Sequence, residues 1–576
     1  MTHGHATGAA LAPALPLPGA LPPRERWADL PVRRGPDLYL GLVRDRVFAH
    51  NPHGHEALAL LSRRAAALLR AADGRPAGVV AAELADGDPA TAARLVDELP
   101  VLLRNGFLRV PASATGPTVR PWQPAGPRER VFNAWLHLTN ACNLACPYCY
   151  IHKDPRHMGD EAAARTLQAI QATAAAGQVD RIHVRFAGGE PMLRFPQMQR
   201  FFAEAVALCE PYGVKFSAAV LTNGTVVPRE APAWLRDHGV QVSVSLDGIG
   251  EAQDVMRPVV GGGSSWTRAE AGIDAYLSAG IRPYVLVTVG ASNLAGLPAL
   301  TRYLVGRGLG FRFSLVRDLE WGKGLLDDRH GAEDREAIYH QPAVSGADSR
   351  GILSGAPLQH LQRTLGEAYD IIEAAVAAGT LSPSFRRTHK FCDLEPWHPI
   401  LAACGAGNSY AALSEDGRIS PCQAALHHPG TQPIATGASL LDQARAQTQL
   451  PNWKRESGNA ECNRCRFKAS CAGGCPLLLH RSAGHVDGRS PYCEVFRAVL
   501  PRILRIAALE LLMAQSRSSS GSGSSSGSGS SSGSGSGSGS SSGSGSGSGS
   551  SSGSGSSSGS GSGSGSGLPL TSGLVQ

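Results

Sequence analysis

Three cysteines close together in the chain are the residues best suited to chemistry. Cys142, Cys146 and Cys149 follow an apolar, β-rich run with the spacing C-x3-C-x2-C, and Tyr148 precedes the last of them. Three thiolates on one loop can hold three irons of a [4Fe–4S] cluster and leave the fourth iron open to a small molecule. The alternatives for these thiols are a zinc site with a distant fourth ligand, or simple burial.

A second group of cysteines lies further along the chain. Cys404 and Cys422 come first, with Gly417 between them. A C-x2-C-x5-C-x3-C run and one later cysteine complete the group: Cys462, Cys465, Cys471, Cys475 and Cys493. Because the chain's 12 cysteines fall in short-range clusters, the sequence favours metal binding over disulfides. Four cysteines at these spacings could also form a zinc ribbon.

The elements that must position the first three cysteines alternate between strand and helix. Strands are predicted at 131–138, 182–187, 215–221, 241–246, 282–289 and 311–316, and helices at 161–176, 195–209 and 266–279. This alternation predicts parallel strands with right-handed crossovers, in a barrel or an open doubly wound sheet. In such barrels the chemistry lies at the carboxyl ends of strands. The three-cysteine motif directly follows the first strand.

A small N-terminal domain is predicted at 36–110. A hairpin, 38–42 with 46–50, precedes helices at 56–72, 77–85 and 90–105 and a short strand at 107–110, an order typical of a winged helix. This range contains nine Arg and no Lys, and nine Asp and Glu, so the domain has no net charge. A neutral domain lacks the basic surface expected of a DNA-binding protein.

The remaining segments complete the predicted organisation. The sequence divides into a disordered N-terminus 1–35, the winged-helix-like domain 36–110, a Pro-rich linker 111–127, an α/β barrel 128–320, a connecting region 321–391, a cysteine-rich domain 392–515 and a disordered Ser/Gly-rich tail 516–576. A helix is predicted at 358–378 and another, apolar, at 494–515. A net charge of +7 does not indicate nucleic acid. Without a signal-like or long apolar run, we expect a cytoplasmic protein with no membrane partner.

The 131–316 segment resembles the radical S-adenosylmethionine (SAM) superfamily. Besides the three cysteines and Tyr148, it carries Gly188-Gly189-Glu190-Pro191, a Thr-Asn223-Gly segment and a Ser-Leu-Asp-Gly element starting at Ser245, followed by Arg257. The resemblance implies a partial (β/α)6 barrel whose open iron binds SAM. It further implies reductive cleavage to a 5′-deoxyadenosyl radical, and so requires an external one-electron reductant. By resemblance, Glu190 faces the SAM ammonium, Asn223 lies near the ribose, and Ser245 and Arg257 approach the carboxylate.

The later cysteines resemble a SPASM domain, which holds auxiliary clusters. That resemblance implies an outer [4Fe–4S] cluster on Cys462, Cys465, Cys471 and Cys493. It implies an inner one on Cys404, Cys422 and Cys475. Cys392 is the candidate fourth ligand, and the alternative is an open site that binds substrate. Cys209 is left over and is interpreted as a core residue.

SPASM-bearing relatives mostly modify peptides, and the N-terminal domain resembles the leader-binding domain of such enzymes. We therefore expect a precursor peptide or protein as substrate, with crosslinking as the favoured reaction. A sulfatase-type maturase, which makes formylglycine, is the alternative. Its family has an Asp after the second inner cysteine, where this chain has Gln423. The catalytic base is unknown; His183, Arg185, Tyr284 and Asp318 are candidates on the strands. A zinc-ribbon and winged-helix regulator is the non-enzyme alternative.

Overall fold

The computed structural model describes residues 23–111, 129–316, 356–381, 385–400, 403–426, 431–447, 460–483 and 488–521. These ranges contain an N-terminal domain, a large mostly parallel sheet with its helices, and a cysteine-rich region of short elements. The predicted Pro-rich linker, most of the connecting region and nearly all of the Ser/Gly tail lie outside the described residues.

The N-terminal domain contains two antiparallel three-stranded sheets and four helices. Its strands are β1 (Pro31–Arg34), β2 (Tyr39–Val43), β3 (Arg46–His50), β4 (Leu58–Leu60), β5 (Asp73–Pro76) and β6 (Leu108–Arg109); its helices are α1 (Arg63–Ala71), α2 (Ala77–Leu84), α3 (Pro89–Val96) and α4 (Leu99–Arg104). The sheet orders are β5-β1-β6 and β2-β3-β4. The first sheet extends the domain beyond its predicted start, because β1 lies within the N-terminal segment predicted to be disordered.

Two helix predictions in this domain were wrong in extent. The helix predicted at 56–72 begins only at Arg63, since residues 58–60 pair with β3. Ser62 then caps α1 by accepting a hydrogen bond from the Ala65 amide at 2.9 Å. The helix predicted at 90–105 is two helices, α3 and α4, and Pro100 lies in the first turn of the second, where a missing N–H is tolerated.

The central sheet follows the predicted alternation closely. Its strands in chain order are β7 (Val131–Thr139), β8 (Arg181–Gly188), β9 (Lys215–Thr222), β10 (Gln241–Ser245), β11 (Tyr284–Val289) and β12 (Phe311–Leu315). The intervening helices are α5 (Asp160–Ala175), α6 (Phe195–Cys209), α7 (Ala231–Asp237), α8 (Glu251–Met256), α9 (Ser265–Ser278) and α10 (Leu297–Gly306). All six strands are parallel to their neighbours.

The C-terminal half adds strands to both edges of this sheet. They are β13 (His389–Phe391), β14 (Tyr410–Leu413), β15 (Arg418–Ser420) and β16 (Gln432–Pro433). β13 pairs in parallel with β12, and β14 pairs in parallel with β7. The complete order is β13-β12-β11-β10-β9-β8-β7-β14-β15-β16. Eight strands are therefore parallel where the sequence predicted six, and the sheet ties the cysteine-rich region to the barrel.

The two faces of the sheet differ in chemistry. Alternate residues such as Phe132, Val184 and Phe313 belong to the main apolar core with the helices. Because strand side chains alternate between faces, their neighbours point the other way. These neighbours form the inner face of the sheet and include Asn133, Trp135, His183, Arg185, Arg312 and Tyr410. One covered apolar face and one polar inner face are the arrangement of a partial barrel.

The cysteine-rich region is made of short helices and one long one. Its helices and those before it are α11 (Ala356–Ala378), α12 (Phe385–Thr388), α13 (Leu440–Ala446), α14 (Ala460–Asn463), α15 (Lys468–Cys471), α16 (Pro476–Ala483) and α17 (Cys493–Gly521). The N-terminal domain packs against this region: the Tyr39 and Phe467 rings lie 5.4 Å apart, and His50 Nε2 lies 2.6 Å from the Pro396 carbonyl oxygen. Within the described residues, no helix combines the length and apolarity needed to cross a membrane.

Candidate active site

The three-cysteine loop lies at the carboxyl end of β7 and is fixed by backbone hydrogen bonds. The Ala145 amide donates to the Pro258 carbonyl at 2.8 Å, and the Val260 amide donates to the Asn143 carbonyl at 3.0 Å. The Cys149 amide donates to the Cys146 carbonyl at 3.1 Å, which closes a tight turn. The loop is therefore held by the segment after α8 as well as by its own strand.

The thiols of this loop lie within electrostatic reach of one another. Burial raises the pKa of Cys146 to about 11, with Arg257 acting in the opposite direction and Cys149 adding to the rise. Burial also raises the pKa of Cys142. Three soft thiol donors on one loop suit an iron–sulfur cluster with an open iron. Among the described residues, no three Cys, His, Asp or Glu side chains already share metal-binding geometry, so the ligand assignments stay predictions based on donor type and placement.

The Gly188-Gly189-Glu190-Pro191 turn is hydrogen-bonded directly to the cysteine loop. The Gly189 amide donates to the Thr139 carbonyl at 2.6 Å, and the Glu190 amide donates to the Ala141 carbonyl at 2.9 Å. Gly188 has φ +137°, and a Cβ at Gly189 would lie 2.2 Å from the Ala141 carbonyl oxygen. Glycine is required at both positions because a side chain would separate this turn from the loop. Pro191 begins a short 3-10 helix, Pro191–Arg194.

The Glu190 carboxylate is fully buried and connects the ends of β8 and β9. It accepts hydrogen bonds from the Thr222 hydroxyl at 2.7 Å, the Asn223 amide at 2.7 Å and the Met192 amide at 3.0 Å. Burial raises its pKa to about 7, although these donors oppose the rise. A carboxylate held this way gives the site a fixed acidic group beside the cysteine loop, which suits the predicted contact with an ammonium.

Asn223, the residue directly after β9, contacts the cysteine loop. Its Nδ2 donates to Asn143 Oδ1 at 2.9 Å and lies 3.8 Å from Cys142 Sγ. Its Oδ1 accepts a hydrogen bond from the Thr225 amide at 2.9 Å. The Asn223 segment, predicted to lie near the SAM ribose, is thus adjacent to the first cysteine.

Arg257, predicted to approach the SAM carboxylate, is held by Asp247, a residue of the Ser-Leu-Asp-Gly element to which the sequence assigned no role. Its Nε and Nη2 donate to the two Asp247 oxygens at 2.8 and 3.2 Å. Asp247 also accepts bonds from the Thr288 amide at 2.7 Å and from the Tyr148 hydroxyl. The guanidinium carbon lies 5.5 Å from the Tyr148 ring centroid.

The Tyr148–Asp247–Arg257 group joins three elements at the barrel end, with Asp247 and Arg257 buried and Tyr148 half-buried. Tyr148 belongs to the cysteine loop, Asp247 follows β10 and Arg257 follows α8. Ser245, the other predicted SAM contact, is the last residue of β10 and is half-buried two positions before Asp247. The Asp in the Ser-Leu-Asp-Gly element was the sequence signal for this ion pair, but its partner could not be read from spacing alone.

The four cysteines predicted to hold the outer auxiliary cluster surround one cavity. Cys462, Cys465, Cys471 and Cys493 all line a cavity of about 310 Å³. Burial raises the pKa of Cys471 to about 12, and the neighbouring thiols of Cys493, Cys462 and Cys465 add to the rise. A roomy space bordered by four thiols fits a cluster with four cysteine ligands.

The cysteines predicted for the inner cluster are also brought together. Burial raises the pKa of Cys404, and the neighbouring Cys475 and Cys422 thiols contribute in that order. Cys392 lines a small cavity together with Cys475 and Cys471. Its backbone adopts φ +48°, a conformation unusual for a residue with a side chain. Cys209 is buried in the main core, away from both groups, as a small apolar residue would be.

The candidate base residues lie on the inner face of the sheet or outside the described residues. His183 Nδ1 lies 3.0 Å from Ser217 Oγ, and burial lowers its pKa to about 3. Arg185 is 1% exposed, and burial lowers its pKa to about 10. The Tyr284 hydroxyl donates to the Phe311 carbonyl at 2.9 Å, whereas Asp318 lies outside the described ranges. Gln423 Oε1 accepts a hydrogen bond from the Tyr410 hydroxyl at 2.6 Å.

Comparisons with known proteins identify the family to which this chain is similar. The profile described as "Radical SAM superfamily" matches residues 136–299. The "Serine-type anaerobic sulfatase-maturating enzyme" of Klebsiella aerogenes is 30% identical over 371 residues, 62% of this chain and 83% of the relative. The "Mycofactocin maturase MftC" of Mycobacterium tuberculosis (strain CDC 1551 / Oshkosh) is 27% identical over 362 residues, 62% of this chain and 81% of the relative.

A solved structure shares the fold. "Native anSMEcpe with bound AdoMet and Cp18Cys peptide" matches with a TM-score of 0.50 and 17% identity, over 66% of this chain and 99% of that one. At this identity the likeness concerns the fold alone. The three-cysteine loop, the glycine turn and the Asp247–Arg257 pair all fall within the matched profile.

Proposed function

This chain belongs to the radical SAM superfamily, and we propose that it is a peptide maturase that crosslinks a ribosomally made precursor. The observation that carries the radical chemistry is the three-cysteine loop, hydrogen-bonded to the Gly188–Pro191 turn at the carboxyl ends of neighbouring strands. Gln423 is what favours crosslinking over formylglycine formation. When bound there, a [4Fe–4S] cluster with SAM supplies a 5′-deoxyadenosyl radical that removes a hydrogen atom from the substrate.

The residues of the chain hold and shield this chemistry. Cys142, Cys146 and Cys149 would ligate the cluster. The glycines bring the backbone close enough for SAM to lie against the loop, with Glu190 facing its ammonium group. Ser245 and Arg257 would contact its carboxylate, for which the Arg257 fork is suited. Asp247 orients that fork, and Tyr148 covers it.

Two auxiliary [4Fe–4S] clusters form part of the proposal. The cavity bordered by Cys462, Cys465, Cys471 and Cys493 supports the outer cluster. The neighbouring thiols of Cys404, Cys422 and Cys475 support the inner one, with Cys392 as its fourth ligand. Fully ligated clusters of this kind would carry electrons and shape the site.

The N-terminal domain supports a peptide substrate. We assign it the winged-helix-like role of binding the leader of the precursor. In the described residues the β2-β3-β4 sheet has two edge strands, and an extended peptide can add to such an edge through backbone hydrogen bonds. This sheet lies between two apolar clusters. Ala49 and Leu61 belong to the cluster formed with the helices of the domain, whereas Phe48 and Leu58 belong to the main core. A leader bound here would be anchored on the body of the enzyme.

Formylglycine formation is the second candidate. It is favoured by the 30% identity to the sulfatase-maturating enzyme of Klebsiella aerogenes. Gln423 argues against it, because an amide cannot take up a proton at neutral pH. In the structure its oxygen is already used as the acceptor for the Tyr410 hydroxyl. The catalytic base for either reaction stays unassigned.

The test is anaerobic reconstitution followed by reaction with two peptides. We expect about twelve irons per chain, and 5′-deoxyadenosine formation that depends on SAM and reductant. A short precursor encoded beside this gene should lose hydrogen without gaining a carbonyl, whereas a sulfatase peptide would gain a formylglycine that reacts with hydrazide. A hydrazide-reactive product would establish the second candidate. Zinc without iron would indicate the regulator instead.

A further inference from the structure

The loop that carries three of the proposed outer-cluster ligands is strongly basic. Between Cys462 and Cys471 it contains Arg464, Arg466 and Lys468, all of them exposed. All three side chains also line the 310 Å³ cavity bordered by the thiols. The positive charges therefore lie on the protein surface at the mouth of the proposed cluster site.

These three cations differ from the other two that line the same cavity. Arg489 forms ion pairs with Glu461 at 3.3 Å and with Glu494, and Arg497 lies 3.8 Å from Glu494. Across the described residues, by contrast, Arg464, Arg466 and Lys468 form no ion pair with a carboxylate. Lys468 donates to the Asn463 amide oxygen at 2.5 Å, which leaves its charge uncompensated.

Cluster charge alone does not account for this excess. Four thiolates around a doubly positive iron–sulfur core leave about two negative charges, fewer than the three uncompensated cations. Exposed cations also interact weakly with a charge beneath them, because water screens the field. The loop therefore presents net positive charge outward even with the cluster in place.

The basic loop is also held rigidly from below. Phe467, between Arg466 and Lys468, is buried, and its ring packs 5.4 Å from that of Tyr39 in β2. The Lys468 amide donates to the Cys465 carbonyl at 3.0 Å, and the Cys471 amide donates to the Phe467 carbonyl at 3.0 Å. A basic surface that needs little ordering on binding loses less entropy when a partner docks.

We propose that the surface formed by Arg464, Arg466 and Lys468 is the docking site for an acidic one-electron carrier protein. This inference rests on the proposed function, which places the outer auxiliary cluster directly beneath this surface. Complementary charge steers such a partner to the right face and fixes its orientation. The carrier's redox group would then lie next to the cluster, with the basic side chains forming the rim of the contact.

The test measures binding rather than turnover. The full chain is reconstituted anaerobically and titrated with an acidic, FMN-loaded flavodoxin, with flavin fluorescence as the readout at low and high salt. The Arg464→Glu/Arg466→Glu/Lys468→Glu protein should bind at least about tenfold more weakly at low salt, and its affinity should lose most of its salt dependence. The corresponding triple Gln variant should fall between it and the wild type.

The matched control reverses three exposed cations elsewhere, as Arg200→Glu/Lys215→Glu/Arg229→Glu. It has the same net charge change and should bind within about twofold of the wild type. Equal weakening in both triples, unchanged affinity of the loop triple, or no binding by the wild type would each overturn the docking site. Iron content of every variant separates these outcomes from failure of the proposed function, since a wild-type chain without auxiliary iron refutes the cluster itself.

Discussion

The barrel end and the cysteine-rich region both gather thiols, but they do so by different means. At the barrel end the cysteine loop, the Gly188–Pro191 turn and the Asp247–Arg257 pair are linked by many hydrogen bonds among strands of five to nine residues. In the cysteine-rich region, the proposed outer ligands lie on much shorter elements. Cys462 and Cys471 belong to helices of four residues, α14 and α15, Cys465 lies in the turn between them, and Cys493 begins α17. The first site is built by the fold, whereas the second depends on its own ligands.

This difference indicates where metal contributes to folding. Elements of four residues bury little surface and do not form stable helices alone, so ligand binding must supply their stability. Six parallel strands and their helices bury a continuous core without any ligand. Removing the clusters should therefore disable the barrel end without unfolding it, and should loosen the cysteine-rich region.

The largest expected effect is on activity at the barrel end. Replacing Cys142, Cys146 and Cys149 together with Ala should reduce 5′-deoxyadenosine formation to background, while circular dichroism and the thermal midpoint of the apo protein change little. Cys209→Ala is the control. Loss of this buried thiol should lower the stability of the protein and leave SAM cleavage intact. Persistent 5′-deoxyadenosine in the triple variant would refute the site.

The next effect is a local loss of structure in the cysteine-rich region. Cys462→Ala/Cys465→Ala should remove about four of about twelve irons and make the residues around α14–α15 sensitive to trypsin. The barrel fragment spanning β7 to β12 should stay resistant. Digestion is followed by gel electrophoresis and mass spectrometry. If both regions of the variant resist trypsin equally, the proposed outer ligands do not hold the cysteine-rich region together.

A smaller effect tests how well the barrel end is built without ligand. Asp247→Asn leaves the buried Arg257 without its counter-charge and should cost about 3–5 kcal/mol, seen in the urea transition of the apo protein. Asp237→Asn removes an exposed carboxylate paired with Arg236 at 2.8 Å and should cost less than about 0.5 kcal/mol. Similar losses in the two variants would contradict a specific role for the buried pair.

The smallest effect concerns the contact between the N-terminal domain and the cysteine-rich region. Burial lowers the pKa of His50 from 6.5 to about 4, against its hydrogen bond to Pro396. Between these values the unfolded chain binds a proton that the folded protein does not. Stability is therefore full above pH 6.5 and falls as the pH drops, by about 2 kcal/mol at pH 5 from this group.

His50→Gln isolates this contribution, because an amide can donate to Pro396 without titrating. The pH dependence of the wild type minus that of the variant should show the fall between pH 6.5 and 4. This subtraction also removes the effect of His183 and His389, whose pKa values burial lowers to about 3. If urea unfolding gives the same pH dependence of stability for the two proteins, His50 does not contribute to it.

Most of the barrel could be predicted because its signals are local. The alternation of apolar runs placed the six strands within about two residues of their ends, and the motifs fell where those strands stop. The helix predicted at 56–72 failed because an Ala- and Leu-rich run continues through β4, and only pairing with β3 decides its conformation. The pairing of β14 with β7 joins distant parts of the chain, which no local pattern indicates.

The candidate site shows the same division. Cysteine spacing and the Gly188–Pro191 motif identified residues that the structure brings together. The bond between Asp247 and Arg257 was not predicted, since residue types alone do not show which charges pair. The inner-face residues followed from strand alternation, but their partners across the sheet required the register.

The backbone at Cys392 has a consequence for how this protein could change under selection. A left-handed conformation costs a residue with a side chain about 1–2 kcal/mol, and glycine avoids that cost. A library selected only for stability should therefore enrich Cys392→Gly. A library selected for peptide modification should retain cysteine there, because the proposed ligand is lost with the sulfur. The ratio of the Cys392→Gly frequencies in the two libraries would measure how much the sulfur contributes to activity relative to the backbone strain.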